Sequence, residues 1–284
     1  MTLSHNGALT WLFTDIVEGD GVGMVESRGP RQEHLDREFD RMKRLSLIIP
    51  AHNESRLLPR LLNTVDVARE RFLGGSDAIE VIVADNASTD GTGKLAVSRG
   101  CVVVPVERRL IAAARNGGAS MARGEILAFA DADMQIDPET FNAISATLDR
   151  SDVVAGSTGG RLERWSVGIA LTYAAIVPLL VLTNIDTGVV FCRRPEFDAI
   201  GGYDENRPIG EDVAFLMALG KLGRGRKQRL IRLTEVKALV STRKYDQHGD
   251  WHFLTKIMPM GIPAVIWPSL GRKLADRFWY NNDR

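Results

Sequence analysis

The 284-residue chain is poor in several features that would place it quickly. It has only two cysteines, Cys101 and Cys192, with no CxxC or Cys/His zinc spacing. That excludes a disulfide framework and a cysteine-bound metal. Both lie in apolar, strand-like runs and read as buried, inert thiols. No sign of charge is in excess: 36 basic residues balance 36 acidic ones. No global field attracts polyanions, so nucleic acid is not an expected partner. There is no GxxxxGK[ST] phosphate loop, and the first apolar run ends in Ala51-His52-Asn53-Glu54 without a glycine. The dinucleotide-binding turn needs glycine there for close approach to the pyrophosphate, so that fold is excluded too. The longest apolar stretch, Val167 to Thr183, holds about 17 residues and contains Pro178, short of the about 20 that span a bilayer. It reads as a buried or membrane-leaning helix. Residues Met1 to Asp20 carry acids and lack a basic segment before an apolar core, so no secretory signal is expected and a cytoplasmic location is the default. No internal repeat or low-complexity tract occurs.

With 44% hydrophobic and 25% charged residues, the composition is that of an ordinary globular protein. After a preface of mixed Gly, Glu, Asp and Arg over residues 1–44, regular structure begins. Strand-like runs are expected at Leu45 to Ile49, Glu80 to Ala84, Cys101 to Pro105, Glu125 to Ala130 and Asp152 to Ala155. Helices are expected between them, over Ser55 to Phe72, Thr92 to Arg99, Leu110 to Ala122 and from Asp137-Pro138-Glu139 to Leu148. Gly117 and Gly118 weaken the third of these. The alternation implies βαβ crossovers and a mostly parallel central sheet with helices on both faces, a Rossmann-like α/β architecture. Beyond Ser157 the rhythm changes: the apolar helix, a strand at Val189 to Cys192, a helix from Glu211 to Leu222, and strand-like pieces at Leu230 to Leu233 and Ala238 to Ser241. The expected organisation is an extension (1–44), one domain (45–245) divided into halves at 157/158, and a tail (246–284).

The densest chemical signal is Ile126-Leu-Ala-Phe-Ala-Asp131-Ala-Asp133. An apolar strand ends on two carboxylates at i, i+2. Open α/β sheets bind ligands beyond the carboxyl ends of their strands, and hard cations share carboxylate oxygens with substrate phosphates. The bland alternative is a solvated turn with a helix cap. Glu211 and Asp212 form a second acidic pair, which could equally serve only to stabilise a helix N-terminus. Asp85 ends the second strand, as a ligand acceptor or as a cap for its own loop.

Five segments together resemble family 2 glycosyltransferases: Leu47-Ile-Ile-Pro-Ala-His-Asn-Glu54, Val83-Ala-Asp-Asn-Ala-Ser-Thr-Asp-Gly-Thr92, Ala114-Arg-Asn-Gly-Gly118 with Ala122-Arg-Gly-Glu125, Asp131-Ala-Asp133 as a DxD motif, and Gly201-Gly-Tyr-Asp-Glu205 followed by Glu211-Asp212. They cover about residues 45–243 in the family's order. The resemblance implies a GT-A fold, a nucleotide-diphosphate sugar as donor, UDP-linked before others, Mg2+ or Mn2+ as cofactor, and transfer with inversion. It implies that Asp131 lies near the ribose and Asp133 holds the metal, and that Asp85 accepts from a uracil imide. Pro50, His52 and Glu54 would shape the same pocket. Arg115 and Asn116 would face the diphosphate or the sugar. Asp212 would be the general base with Glu211 orienting it or the acceptor, and Gly201, Gly202 and Tyr203 would form a tight turn beside them. Arg243 would contact phosphate, and His248, four residues from His252, would be a third metal ligand. The acceptor is open: a glycan, a lipid-linked group or a small molecule.

In the tail, Trp267, Phe278 and Trp279 stand among Arg272, Lys273 and Arg277, which suits peripheral contact with the inner face of a membrane or a tail docked on the core. Two other readings compete with transfer. One is a nucleotide-sugar-binding protein without turnover. The other is a nucleotidyltransferase, which Ala51-His52-Asn53-Glu54 disfavours because such enzymes carry a Gly-rich basic loop at that place. Leu12-Phe-Thr-Asp-Ile16 resembles a metal-binding strand of class III cyclases, but nothing downstream continues that pattern.

Overall fold

The computed structural model describes residues 43–257 except 187, 208 and 209. The cyclase-like fragment and the aromatic tail therefore lie outside the described residues. Elements follow in the order β1 Leu45–Ala51, α1 Leu58–Glu70, β2 Ile79–Asp85, α2 Thr92–Ser98, β3 Val102–Pro105, α3 Ile111–Met121, β4 Ile126–Phe129, β5 Met134–Gln135 and α4 Thr140–Leu148. The second half comprises β6 Val153–Leu162, α5 Val167–Thr183, β7 Val190–Arg193, α6 Arg194–Ile200, α7 Glu211–Gly225, β8 Arg229–Val240 and α8 Arg243–His248.

Among the described residues the strands form one sheet in the order β3-β2-β1-β4-β7-β6-β8-β5. β3, β2, β1 and β4 run parallel, β7 antiparallel to both neighbours, and β8 parallel to β6. A parallel strand covered on both faces must be apolar on both, and β1 is: Leu45, Leu47 and Ile49 pack into one layer with Leu58, Leu61, Val65, Phe141 and Ile144, while Ile48 enters the other with Ala112, Leu127, Phe129, Phe215 and Leu219. The connections from β1 to β2 to β3 progress to one side, and β4 returns to the other side of β1. The carboxyl ends of β1 and β4 therefore flank the topological switch point, where such sheets open a crevice.

Several expectations change. α3 keeps Gly117 and Gly118 inside it. A Cβ on Gly118 would stand 2.5 Å from Ile48 Cγ2, so the glycine lets α3 approach β1 closely. Asp137-Pro138-Glu139 forms a turn ahead of α4, with the Glu139 amide donating to the Asp137 carboxylate, and the helix itself starts at Thr140. α5 runs from Val167 to Thr183 through Pro178 without a break. No helix among the described residues is long and apolar enough to cross a membrane. The two expected strand pieces after α7 are one strand, β8, interrupted by a register shift opposite Thr158 and Gly159. α6 and the short β5 were not expected. Asp186 is buried and pairs with Arg232 Nε at 2.7 Å.

The half boundary at 157/158 falls inside β6, and the tail boundary at 245/246 inside α8. Cys192 is buried in β7, where burial raises its pKa, as expected of an inert thiol. Cys101 departs from expectation: it precedes β3 and is only half-buried, its thiol pushed up to about 11 by desolvation.

Candidate active site

The crevice at the switch point is lined by Pro50, Ala51, His52 and Glu54 after β1, Asn86 after β2, Arg109 and Ile111 after β3, Asp131 to Asp133 after β4, and Arg243 and Lys244 after β8. The fold places the last group there through β5. Met134, one residue past Asp133, pairs with Val240 at the end of β8, so the chain leaving β8 arrives beside the paired aspartates. Arg243 Nη2 then lies 3.0 Å from Asp133 Oδ2, and its fork takes Glu54 at 2.6 and 2.8 Å. Burial raises the Asp133 pKa, and Arg243 opposes that rise.

Beneath the crevice, α3 delivers Arg115, whose side chain is only 4% exposed. Its guanidinium pairs at 2.9 Å with Asp131, with Glu211 and with Asp212. One buried cation thus joins Asp131 to the acidic pair that opens α7. Burial works against the charge on Arg115, and Asp212, Tyr203, Asp131 and Glu211 outweigh it, holding its pKa well above normal. Asp212 is pushed up to about 7, chiefly by burial, with Arg115 pulling the other way and Glu211 and Asp131 adding to the rise. Tyr203 stacks on Phe215 at 4.0 Å, meets Phe129 edge-on, and lies under the Arg115 guanidinium at 5.0 Å. Burial raises its own pKa, so its hydroxyl stays protonated and donates to Asp212 Oδ1 at 3.1 Å. Sequence singled out Tyr203 only as part of a turn. Its hydrophobic neighbours are scattered over β4, α6 and α7, and no local pattern announces them.

Asn116, the residue after Arg115, faces the same turn. Its amide donates to the Tyr203 carbonyl, and its carbonyl accepts from the Tyr203 amide, both at 2.9 Å. Gly202 has φ +75°, and a Cβ there would stand 2.7 Å from Asn116 Oδ1, so the turn requires glycine on both counts.

The other expected residues distribute as follows. Pro50, His52 and Glu54 line the crevice. Asp85 Oδ1 accepts from the Ser88 amide at 3.1 Å, the capping alternative, and the neighbouring Asn86 lines the crevice instead. Asn86 gives both amide hydrogens to the carbonyls of Val106 and Arg108, which fixes the direction of its Oδ1. His52 Nδ1 meets the Asn86 carbonyl at 2.7 Å, so it carries the proton, and Nε2 accepts from Arg109 at 2.9 Å. Asn86 and Arg109 were missed. The basic pair Arg108-Arg109 in the loop that follows β3 was the available signal for the second of them. His248 stacks on His252 with centroids 4.8 Å apart, and among the described residues no three His, Cys, Asp or Glu side chains group as a metal-holding set.

The donor chemistry nonetheless fits a hard divalent cation. Mg2+ and Mn2+ need only one or two carboxylates when phosphates and water complete the shell. Asp133 is such a carboxylate, drawn out of water and set among Asp131 and Glu54 with the Arg243 side chain as its nearby counter-charge.

Residues 46–168 match the profile of glycosyl transferase family 2. An undecaprenyl-phosphate 4-deoxy-4-formamido-L-arabinose transferase of Aeromonas hydrophila is 32% identical over 132 residues, 44% of this chain and 40% of that one. Glycosyltransferase AglE of Haloferax volcanii is 34% identical over 185 residues, 60% of this chain and 59% of the relative. The chain thus spans about two fifths to three fifths of the curated relatives named here. A mannosyltransferase of Pyrobaculum calidifontis, solved with GDP-Man and Mn2+, superposes with a TM-score of 0.57 at 21% identity over 73% of this chain and 62% of its own. The sheet is therefore that of the GT-A fold. The matched profile covers β1 to the start of α5, with the paired aspartates after β4 inside it, so this part of the chain is similar to glycosyl transferase family 2.

Proposed function

We propose that this protein is an inverting glycosyltransferase that moves a sugar from a nucleotide-diphosphate donor, a UDP-sugar, to an acceptor hydroxyl. The observation that carries the reading is Arg115, which holds Asp131 and Asp212 through a single buried guanidinium. Donor side and acceptor side are thereby fixed to one another, as a direct displacement at an anomeric carbon requires.

In this reading Asp212 takes the acceptor proton as the hydroxyl attacks. A base must be anionic yet basic near the working pH, and burial raises Asp212 into that range. Arg115 and the Tyr203 hydroxyl hold the carboxylate in one orientation. Glu211, on the other side of the guanidinium, orients the acceptor or the base. Asp131 serves the ribose, and Asp133 with Asp131 would hold Mg2+ or Mn2+, which when bound neutralises charge on the departing diphosphate. Pro50, His52 and Asn86 wall the base end of the crevice. The relatives support donor and metal class: the Pyrobaculum protein was solved with a nucleotide-sugar and Mn2+, and a Mycobacterium tuberculosis glucosyl-3-phosphoglycerate synthase with Mn2+ and UDP. The Aeromonas relative is named for a lipid-linked substrate, which favours an acceptor at a membrane surface and peripheral association of this chain with it.

The test is a thermal-shift series of the full chain with UDP, GDP, CDP and ADP, with and without Mn2+. A ligand of the folded state raises apparent stability by mass action. A metal-dependent rise with UDP is expected, and no rise with any of the four would overturn the reading. Product stereochemistry by NMR then decides inversion.

A further inference from the structure

Arg243 stands where a diphosphate and its cation are expected, yet it faces carboxylates. Its two terminal nitrogens grip Glu54 at 2.8 and 2.6 Å, and Nη2 also lies 3.0 Å from Asp133 Oδ2. Glu54 and Asp133 are 4% and 17% exposed, so these anions are drawn from water and need a positive partner. Asp131 adds a third negative charge to the group that acts on Arg243. Arg243 is the first residue of α8 and immediately follows Thr242, which is buried. The backbone is therefore anchored while the long side chain retains its rotamers. An arginine fork matches a carboxylate and a phosphate equally well.

We propose that Arg243 is a tethered counter-ion that holds the carboxylates of the donor subsite in the ligand-free protein and competes with the divalent cation for Asp133. It is released only when a nucleoside diphosphate offers its phosphates as a replacement partner. This rests on the reading of the crevice as a nucleotide-sugar site and adds how that site is controlled. Metal alone must take Asp133 from a guanidinium that is then left with Glu54 only, beside the new cation. Metal with diphosphate displaces it onto phosphate oxygens. The two ligands consequently assist one another, and metal without nucleotide binds weakly.

The opposite signs give the test. Binding of Mn2+ alone, and of UDP with saturating Mn2+, is measured by calorimetry on the full chain carrying Arg243→Gln, with Lys244→Gln as a control for loss of nearby positive charge. Circular dichroism confirms that each variant is folded. Arg243→Lys keeps the charge without the fork and serves if the glutamine variant does not fold. For Arg243→Gln, Mn2+ alone should tighten by about tenfold, the scale of one charge-assisted contact, while UDP in the presence of Mn2+ weakens by a similar factor. Lys244→Gln should tighten Mn2+ by less than Arg243→Gln does. Arg243→Lys should shift both ligands in the directions of Arg243→Gln and by less. Unchanged or weakened Mn2+ binding in Arg243→Gln, with UDP still bound by wild type, would overturn the counter-ion role and leave the donor reading intact. Failure of wild type to bind any UDP with Mn2+ would overturn both.

Discussion

Replacing Arg115 by methionine keeps the length of the side chain and removes its charge. Three carboxylates at 2.9 Å, those of Asp131, Glu211 and Asp212, then lose their shared partner in a site where the arginine is 4% exposed. Removing one member of a buried ion cluster costs about 3–5 kcal/mol because the remaining charges stay desolvated. For a domain of this size that is a fall in Tm of about 10 °C. The loss depends on pH. Without the cation, which opposes the rise, Asp212 has its folded-state pKa raised further above the unfolded value. Such a carboxyl binds more protons folded than unfolded, so its contribution is greatest in acid and is lost as pH rises through the folded pKa. The deficit of Arg115→Met relative to wild type should accordingly widen from pH 5 to pH 8 in urea unfolding. A deficit under about 1 kcal/mol at pH 8, well below the cost of an uncompensated buried charge, or one equal at both pH values, would refute the view of Arg115 as the electrostatic centre of the site.

Asp212→Asn should reduce transfer by about 10²–10⁴-fold, the usual worth of a general base, while UDP with Mn2+ still stabilises the protein; retained turnover removes Asp212 from the mechanism. In wild type, kcat/KM should fall as pH drops through a pKa near 7, because the base must be anionic. Tyr203→Phe removes a hydrogen bond that favours that anion, so the acid limb should move to higher pH; an unmoved limb denies the tyrosine its orienting role. Gly118→Ala places a methyl 2.5 Å from Ile48 Cγ2 and should destabilise by about 1–3 kcal/mol in denaturant titration, the cost of overpacking a core.

The parallel half of the molecule was legible because its strands are buried on both faces and its helices have one apolar stripe each. Leu45 to Ile49 and the run ending at Asp131 announce their own periodicity, and the expected central sheet is the one found. The second half was harder. β8 looked like two pieces because residues opposite the Thr158–Gly159 shift fall out of register, which breaks the alternation without ending the strand. β5 is too short to show any period, although it brings β8 to the site. The paired acids and Arg115 were found by motif. What linked them was not: carboxylates from the loop after β4 and from α7 meeting one guanidinium from α3 is a fact of tertiary packing. Asp85 and Asn86 are adjacent; Asp85 Oδ1 accepts from the Ser88 amide while Asn86 lines the crevice, a division that composition does not show.

Arg115 and Asn116 occupy consecutive positions on α3, yet one reaches the acids and the other clasps the Gly202–Tyr203 corner. This bears on chimaeras designed to alter acceptor choice. A breakpoint placed after β6 would graft a foreign corner onto a native α3, and a mismatch of one ångström there would tilt the grafted α7 with the carboxylates it presents. Transplants that carry the host's own α3 contacts, or exchange α3 together with residues 201–212, should keep the two halves aligned where simple swaps do not.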